Sequence, residues 1–333
     1  MTGDEAAARR RAMLRTAMGP AIETALGDPR VIEIMVNPDG ALRVDVLGEG
    51  RVDTDVRLAP DQVERIIRLV ASHARAEVHA DSPIVSAELP PHGECAGERF
   101  EGVLPPVSLA PCFSIRKPAA RIHTLADYVA DGIMTPEVAE ILRTAVLDRR
   151  NILVVGGTSS GKTTLANALL AEMAVLDERV MLIEETRELQ CPAPDTVALR
   201  TRQGVATIAD LVRSTLRLRP DRIIVGEVRG PEALDMLKAW NTGHPGGIAT
   251  IHANGASAAL HRLEGLVQEA VVTVPRYLIA EAVDLIVMIS GRGLARRISA
   301  IATLEGFDRT SGDYHLHELC FPATGFPSSS KGK

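Results

Sequence analysis

Aromatic side chains are scarce in this sequence of 333 residues, which holds five Phe, three Tyr and one Trp. Because proteins that bind single-stranded nucleic acid stack its bases on aromatic rings, so few rings argue against that function. They argue equally against a lectin-like aromatic platform. Positive charge is not in excess either, since the formal net charge is −6. The sequence therefore lacks the general basic surface of a duplex-DNA-binding protein, although a local basic patch remains compatible with it.

Cysteine and long apolar runs are also in short supply. The cysteines form no CxxC pair and lie far apart, at Cys95, Cys112, Cys191 and Cys320. Their spacing indicates neither a zinc site nor a disulfide framework, which is typical of the reducing cytosol. Residues 1–15 contain no apolar segment of a secretory signal, and the most apolar late stretch, 277–290, is interrupted by Glu281 and Asp284. It falls short of the roughly 18–20 apolar residues of a membrane-spanning helix, so we expect a cytoplasmic protein.

The chain length predicts two domains. In the first, residues 4–26 have the apolar spacing of an amphipathic helix, and residues 31–36 and 41–47 flank an Asn-Pro-Asp-Gly turn typical of a β-hairpin. Residues 60–74 predict a second helix, and Pro- and Gly-rich turns then separate short strand-like runs. We therefore predict a small α+β N-terminal domain over residues 1–118.

The pattern changes after a predicted interdomain linker at 119–136. Short apolar runs alternate there with helical segments, at 152–155, 180–183, 223–225, 248–251 and 285–289. This alternation predicts a mainly parallel sheet covered by helices on both faces, in an α/β domain over 137–320. Residues 297–304 and 314–320 are candidate antiparallel edge strands. Residues 321–333 are rich in Pro, Ser, Gly and Lys and predict a disordered tail.

The most specific motif lies directly after the run 152–155. It matches GxxxxGK[ST] and consists of Gly156, Gly157, Thr158, Ser159, Ser160, Gly161, Lys162 and Thr163. Glycine lets the backbone curl so that its N–H groups converge on a phosphate at the N-terminus of the next helix. The lysine supplies a positive charge to the β- and γ-phosphate oxygens, and the threonine hydroxyl binds Mg²⁺. We therefore predict a nucleotide and Mg²⁺ site, with Thr164 completing the nucleotide-binding segment.

Carboxylates follow two predicted strands at the same edge of the sheet as this loop. The run 223–225 leads to Glu227, as in a Walker B element, and the run 180–183 leads to Glu184, Glu185 and Glu188. A P-loop needs acidic residues at this edge to hold the metal, directly or through water, and to orient the attacking water. We predict that Glu227 serves the metal.

A histidine follows another predicted strand. The glycine-rich segment 242–247 leads into the run 248–251, which delivers His252 to the same edge. There its imidazole is placed to hydrogen-bond a γ-phosphate or a neighbouring carboxylate, and so to report the state of the nucleotide. Because an isolated histidine is more often structural, this prediction depends on the P-loop.

The blocks 156–163, 183–188, 224–229 and 242–254 occur in the order typical of the secretion ATPase superfamily of type II secretion, type IV secretion and type IV pilus motors. They resemble, in turn, its Walker A, Asp box, Walker B and His box. The N-terminal half narrows the resemblance to TrbB-type conjugal transfer ATPases, through the segments 91–93, 98–100, 105–106 and 114–117.

The resemblance implies a hexameric ring of two-domain subunits, in which a RecA-like P-loop motor domain follows the smaller α+β domain. It implies that nucleotide binds between the two domains and that hydrolysis drives their rigid-body rocking. Lys162 and Thr163 match the phosphate and Mg²⁺ ligands, Glu227 matches the Walker B glutamate and Glu188 matches the glutamate that activates water. Glu185 departs from the family, which usually has Asp there.

The resemblance also implies an arginine, often supplied by a neighbouring subunit, that stabilises charge on the γ-phosphate oxygens. The candidates are Arg116, Arg200 and Arg202, and for each of them a surface ion pair is the alternative. Arg229, close to Glu227, is expected to form a structural ion pair instead.

Together these features predict a Mg²⁺-dependent ATPase, a homo-hexamer that powers conjugative pilus assembly or substrate transfer with inner-membrane components of a type IV secretion apparatus. We expect peripheral docking on the membrane and no specific nucleic-acid binding. A type II secretion or pilus retraction motor shares these motifs and stays an alternative. A RecA-like nucleic-acid translocase is disfavoured by the acidic charge, and a non-catalytic P-loop scaffold by the acidic residues at the site.

Overall fold

The structure, a computed structural model, describes residues 3–90, 97–118, 122–202 and 204–319. The predicted tail and the segment 91–93 lie outside the described residues, as do Cys95 and Cys320. Cys112 and Cys191 are free thiols. The chain divides into two compact units, Met1–Arg121 and Ile122–Lys333.

The first unit combines an antiparallel sheet with two helical elements. Its strands are β1 (Val31–Val36), β2 (Ala41–Val46), β3 (Gly50–Arg57), β4 (Ile84–Glu88), β5 (Arg99–Val103) and β6 (Cys112–Arg116), and its helices are α1 (Gly3–Gly27) and α2 (Pro60–Ala74). The six strands lie in the order β3-β2-β1-β6-β5-β4, and every neighbouring pair is antiparallel. The predicted hairpin and the predicted helix over 60–74 are confirmed.

Helix α2 covers this sheet because its apolar residues recur at helical spacing. Val63, Ile66 and Val70 are buried along one face and belong to the same core as Ile34 of β1 and Ile115 of β6. The unit therefore has its own hydrophobic core.

Helix α1 differs from the single predicted helix, because it contains a kink. Gly19 has φ 75° and ψ 173°, outside the helical region, and Pro20 follows it. A proline disfavours the helical conformation of the residue before it, and glycine tolerates the positive φ. The prediction of one uninterrupted helix was wrong at this point.

The second unit is an α/β domain. Its strands are β7 (Ile152–Val155), β8 (Arg179–Glu184), β9 (Asp195–Arg200), β10 (Arg222–Val225), β11 (Ile248–Ile251), β12 (Leu285–Ser290), β13 (Arg297–Phe307) and β14 (Tyr314–Glu318). Its helices are α3 (Leu125–Ala130), α4 (Pro136–Leu147), α5 (Lys162–Ala171), α6 (Ile208–Thr215), α7 (Glu232–Asn241), α8 (Ala256–Gln268) and α9 (Arg276–Ala282). The residues 119–136, predicted as a linker, include α3, whose Leu125 and Tyr128 are buried in this unit.

The sheet of this unit has eight strands in the order β14-β13-β12-β7-β11-β10-β8-β9. Neighbouring strands pair in parallel through six strands of this order, β12, β7, β11, β10, β8 and β9. Strands β13 and β14 add antiparallel strands at one edge. Alternate residues of β7 enter different cores, Leu153 on one face and Val154 on the other. Burial on both faces explains why the central strands are continuously apolar.

No helix in the described part of the chain is both long enough and apolar enough to cross a lipid bilayer.

Candidate nucleotide-binding site

The P-loop joins β7 to α5 near the middle of the eight-stranded sheet. Gly156 directly follows β7, and a Cβ atom there would lie 2.4 Å from the carbonyl oxygen of Ile289 on the neighbouring strand β12. Gly161 caps α5 in the left-handed region, at φ 98°. The backbone path of the loop therefore requires glycine at both positions.

Lys162 begins α5 and is buried, with 7% exposure. Its Nζ donates to the carbonyl oxygen of Gly157 at 3.2 Å and lies 3.3 and 3.2 Å from the two ring nitrogens of His252. Ser160 Oγ is buried and has no hydrogen-bond partner among the described residues. A buried hydroxyl without a partner beside a buried ammonium group fits an oxygen-rich ligand such as a phosphate.

Glu227 and His252 meet beside this lysine. Glu227 follows β10 and His252 follows β11, and Oε1 of Glu227 lies 2.8 Å from Nε2 of His252. Burial, and then the positive charge of Lys162, lower the pKa of His252 and favour the neutral imidazole. The structure thus brings three predicted site residues into one chain of contacts.

Arg229 joins two of the predicted carboxylates. It forms one ion pair with Glu227 and another with Glu185, whose Oε2 lies 3.2 Å from Nη1. The expected ion pair of Arg229 is confirmed. Glu185 therefore shares a cation with Glu227.

The loop that carries Glu188 is held by two buried polar side chains. Oε1 of Glu184 accepts the backbone N–H groups of Glu188 at 2.9 Å and Leu189 at 2.7 Å. Asn167, on the P-loop helix α5, donates to the carbonyl oxygen of Glu188 at 3.0 Å and accepts from the N–H of Gln190 at 2.9 Å. These bonds fix the backbone from which the Glu188 side chain projects.

The sequence reasoning missed Asn167 and grouped Glu184 with the acids that serve metal and water. Asn167 is a buried polar residue in an otherwise apolar helix segment, with Leu165 and Ala168 as neighbours. That contrast is the only signal in the sequence that marks it. Oε1 of Glu184 accepts two backbone amides of the loop that carries Glu188.

The residues present fit Mg²⁺ that arrives together with a nucleotide. Among the described residues, no group of three His, Cys, Asp or Glu side chains is arranged to hold a metal ion. Mg²⁺ usually keeps several waters and takes one or two protein ligands beside substrate phosphates. A hydroxyl in the first turn of α5, Thr163, and one carboxylate, Glu227, supply that kind of donor set.

Two of the three predicted arginines, Arg116 and Arg200, end a strand. Arg200 is the last residue of β9 and pairs in register with Glu184, and Arg202 forms a backbone bridge with Ala206. Arg116 is the exposed last residue of β6, in the first unit. Their function as phosphate ligands stays a prediction.

The chain matches known proteins in sequence. The family "Type II/IV secretion system protein" matches residues 40–301. The chain belongs to this family. It is 47% identical to the conjugal transfer protein TrbB of Rhizobium radiobacter, over 88% of this chain and 90% of that relative. It is 34% identical to the type IV secretion system protein VirB11 of Bartonella henselae, over 78% of this chain and 82% of that relative.

Solved structures share the fold of this secretion family protein. The Legionella pneumophila ATPase DotB has a TM-score of 0.61 at 20% identity, over 87% of this chain and 80% of that chain. The pilus retraction motor PilT with bound ADP has a TM-score of 0.60 at 20% identity, over 90% and 80%. The predicted α/β fold with a mainly parallel sheet is confirmed, as is the resemblance to the secretion ATPases.

Proposed function

We propose that the chain is a Mg²⁺-dependent ATPase that powers conjugative pilus assembly or substrate transfer in a type IV secretion apparatus. The observation that carries the proposal is the chain of contacts from Lys162 through His252 to Glu227, beside a P-loop. The 47% identity to a conjugal transfer protein supports the choice of machine. The pilus retraction motor is similar at 20% identity, a level that supports the fold alone.

The P-loop binds the polyphosphate chain through its backbone N–H groups and Lys162. Thr163 and Glu227 would hold Mg²⁺, which would supply positive charge to the phosphate oxygens. Glu188 orients the water that attacks the γ-phosphate in line, from a loop that is fixed to α5 by Asn167.

His252 couples the phosphate site to Glu227. Lys162 Nζ lies against the imidazole. A γ-phosphate bound to Lys162 competes with the imidazole for the ammonium group, so that the neutral imidazole keeps its contact with Glu227 or turns to the phosphate. This exchange of partners makes His252 the residue that reports the state of the nucleotide.

The assembly belongs to the same proposal. We expect six copies of the chain to form a ring that docks on inner-membrane components of the apparatus. One of the arginines Arg116, Arg200 and Arg202 reaches the γ-phosphate of a neighbouring subunit, where it stabilises the charge of the transition state.

Two substitutions test the chemistry. Lys162→Ala is expected to reduce ATP hydrolysis to background, because it removes the cation at the β- and γ-phosphates. The matched control is Lys238→Ala, an exposed lysine of α7, which should hydrolyse ATP at the wild-type rate. Normal turnover by Lys162→Ala would overturn the assignment.

Glu188→Gln separates binding from catalysis. We expect it to bind ATP as the wild type does and to lose about 10²–10⁴-fold in kcat, since the amide orients water poorly and accepts no proton. Single-turnover hydrolysis and equilibrium ATP binding measure the two quantities. Turnover at the wild-type rate would show that another group activates the water.

A conjugation assay tests which machine the chain serves. In a donor strain lacking this gene, the wild-type chain and Lys238→Ala should restore conjugation, and Lys162→Ala should not. Restoration of pilus retraction without conjugation would favour the pilus motor instead.

A further inference from the structure

Two arginines outside the four motif blocks lie against the P-loop. They belong to the connection between β12 and β13, which contains the 3₁₀ turn Gly293–Ala295. Nη2 of Arg292 donates to the carbonyl oxygen of Thr158 at 3.2 Å. The Arg296 side chain packs on Gly161. A Cβ atom at Gly161 would lie 2.9 Å from Nε and 3.0 Å from Cζ of Arg296. The connection therefore contacts the P-loop near its beginning and near its end.

The charge of Arg296 is not neutralised within the described part of the chain. Its Nε is buried and has no hydrogen-bond acceptor there. Tyr128 lies nearby: burial raises the pKa of this tyrosine, and the positive charge of Arg296 opposes that rise. The Tyr128 hydroxyl is also buried without a described partner. Buried polar atoms without partners are rare in native structures and indicate a missing ligand or water.

The backbone holds these arginines in place. Gly291 has φ 79°, and a Cβ atom there would lie 2.0 Å from the carbonyl oxygen of Ala295, so the connection closes tightly on itself. Strand β12 pairs directly with β7, the strand that leads into the P-loop. At the other end, the N–H of Ile298 donates to the carbonyl oxygen of Ile133. The sheet therefore places both arginines beside the loop.

We propose that Arg292 and Arg296 form a second phosphate-binding element, supplied by the same subunit as the P-loop. Arg292 holds the loop through Thr158, and the guanidinium of Arg296 donates to the polyphosphate chain of the bound nucleotide. A planar guanidinium with several donors matches phosphate oxygens, and no carboxylate of the described chain is ion-paired with either arginine to compete for it. The inference rests on the proposed function, since it requires that the P-loop binds nucleotide.

The test compares Arg296→Gln with Arg297→Gln. Arg297 is exposed and begins β13. Because the backbone is extended at Arg296, the side chains of Arg296 and Arg297 point to opposite sides. Competition against a fluorescent ADP analogue gives affinities for ATP, GTP and pyrophosphate. We expect Arg296→Gln to weaken all three by about tenfold or more, as for the loss of one charge-assisted hydrogen bond. Arg297→Gln should bind all three as the wild type does.

Two results would overturn the inference. One is unchanged affinity of Arg296→Gln for all three ligands. The other is a loss confined to ATP while GTP and pyrophosphate bind normally, because that would indicate a contact with the adenine base. If Arg296→Gln does not fold, as judged by thermal unfolding, Arg292→Gln takes its place, since Arg292 is exposed. Unchanged binding by that variant then overturns the inference.

The same assay distinguishes this inference from the proposed function. If the wild type binds no nucleotide, the proposed function and the inference fail together. If Lys162→Ala abolishes binding and Arg296→Gln leaves it intact, the proposed function stands and the inference alone fails.

Discussion

Two neighbouring glycines of the P-loop, Gly156 and Gly157, differ in the space around them, and only Gly156 is a fixed position of the motif. A Cβ atom at Gly156 would lie 2.4 Å from the Ile289 carbonyl oxygen and 2.5 Å from Ser160 Oγ, whereas one at Gly157 would have nothing within 4 Å. We expect Gly156→Ala to lower the free energy of unfolding by about 1–3 kcal/mol, because β12 must shift to admit the methyl group. Gly157→Ala should change it by less than about 0.5 kcal/mol. Urea unfolding measures both, and equal effects would contradict the described path of the loop.

Asn167 positions the loop of Glu188 without contacting the reacting atoms. We expect Asn167→Ala to lower kcat by about 10²-fold, because a small displacement of a group that orients water is costly, while ATP binding changes little. It should also lower the free energy of unfolding by about 1–3 kcal/mol, since backbone groups of the loop lose their partner. The measurement is kcat together with the equilibrium Kd for ATP.

The matched control for this prediction is Asn241→Ala. Asn241 is exposed at the end of α7, and its Nδ2 donates to Oε2 of Glu281 at 3.2 Å. Its loss should leave kcat unchanged. A fall in ATP affinity as large as the fall in kcat for Asn167→Ala would show that this asparagine supports the whole site and not Glu188 in particular.

Local spacing predicted some residues of the site and not others. A contiguous motif marks Lys162 as a candidate, and Glu227 and His252 are candidates because each follows an apolar strand within two residues. Asn167 contacts residues 21 and 23 positions away, and no local pattern specifies such a pair. Arg296 follows Gly161 by more than a hundred residues and reaches it only because β12 lies beside β7. Contacts that depend on the order of strands in a sheet cannot be predicted from the spacing of residues along the sequence.

At the scale of the elements, strong apolar patterns are sufficient to predict the central strands of the second unit. The central strands of the second unit are buried on both faces, and all of their apolar runs were recognised as strands. Strand β9 was missed because none of its residues is buried and it lies at the edge of the sheet, so its sequence is not continuously apolar. The order of the strands was not predictable, since parallel strands are joined through helices and neighbours in space are not neighbours in sequence.

A buried arginine ties several elements of the second unit together. Arg222 begins β10 with 1% exposure, forms an ion pair with Glu178 and donates to the carbonyl oxygen of Val146 at the end of α4. Arg222→Ala removes the ion pair with Glu178 and one of the donors to the Val146 carbonyl oxygen. We expect it to lower the free energy of unfolding by about 3–5 kcal/mol.

Urea unfolding of Arg222→Ala is best compared with Arg217→Ala. Arg217 is exposed in the connection between α6 and β10, so its removal should cost less than about 0.5 kcal/mol. Similar values for the two variants would mean that the buried ion pair does not hold these elements together.

At the scale of the whole molecule, the family match extends across both units, from residue 40 to residue 301. In the proposed ring, each site combines a P-loop with an arginine of a neighbouring subunit. Two variants that are inactive alone can therefore complement each other when they are mixed. Lys162→Ala and Arg116→Ala are each expected to be inactive alone. When mixed they should recover part of the activity, because some interfaces then pair an intact P-loop with an intact arginine.

Steady-state hydrolysis of the mixture, compared with each variant alone, measures this recovery. Repeating it with Arg200→Ala and Arg202→Ala identifies which arginine acts between subunits. If none of the three mixtures recovers activity, the arginine acts within its own subunit or lies elsewhere in the chain.

The most direct test of the central claim is ATP hydrolysis measured on size-separated protein, with and without nucleotide and Mg²⁺. We predict Mg²⁺-dependent hydrolysis confined to a ring-sized species, and the loss of this hydrolysis in Lys162→Ala at unchanged size. Hydrolysis by a monomer, or by Lys162→Ala at the wild-type rate, would contradict it.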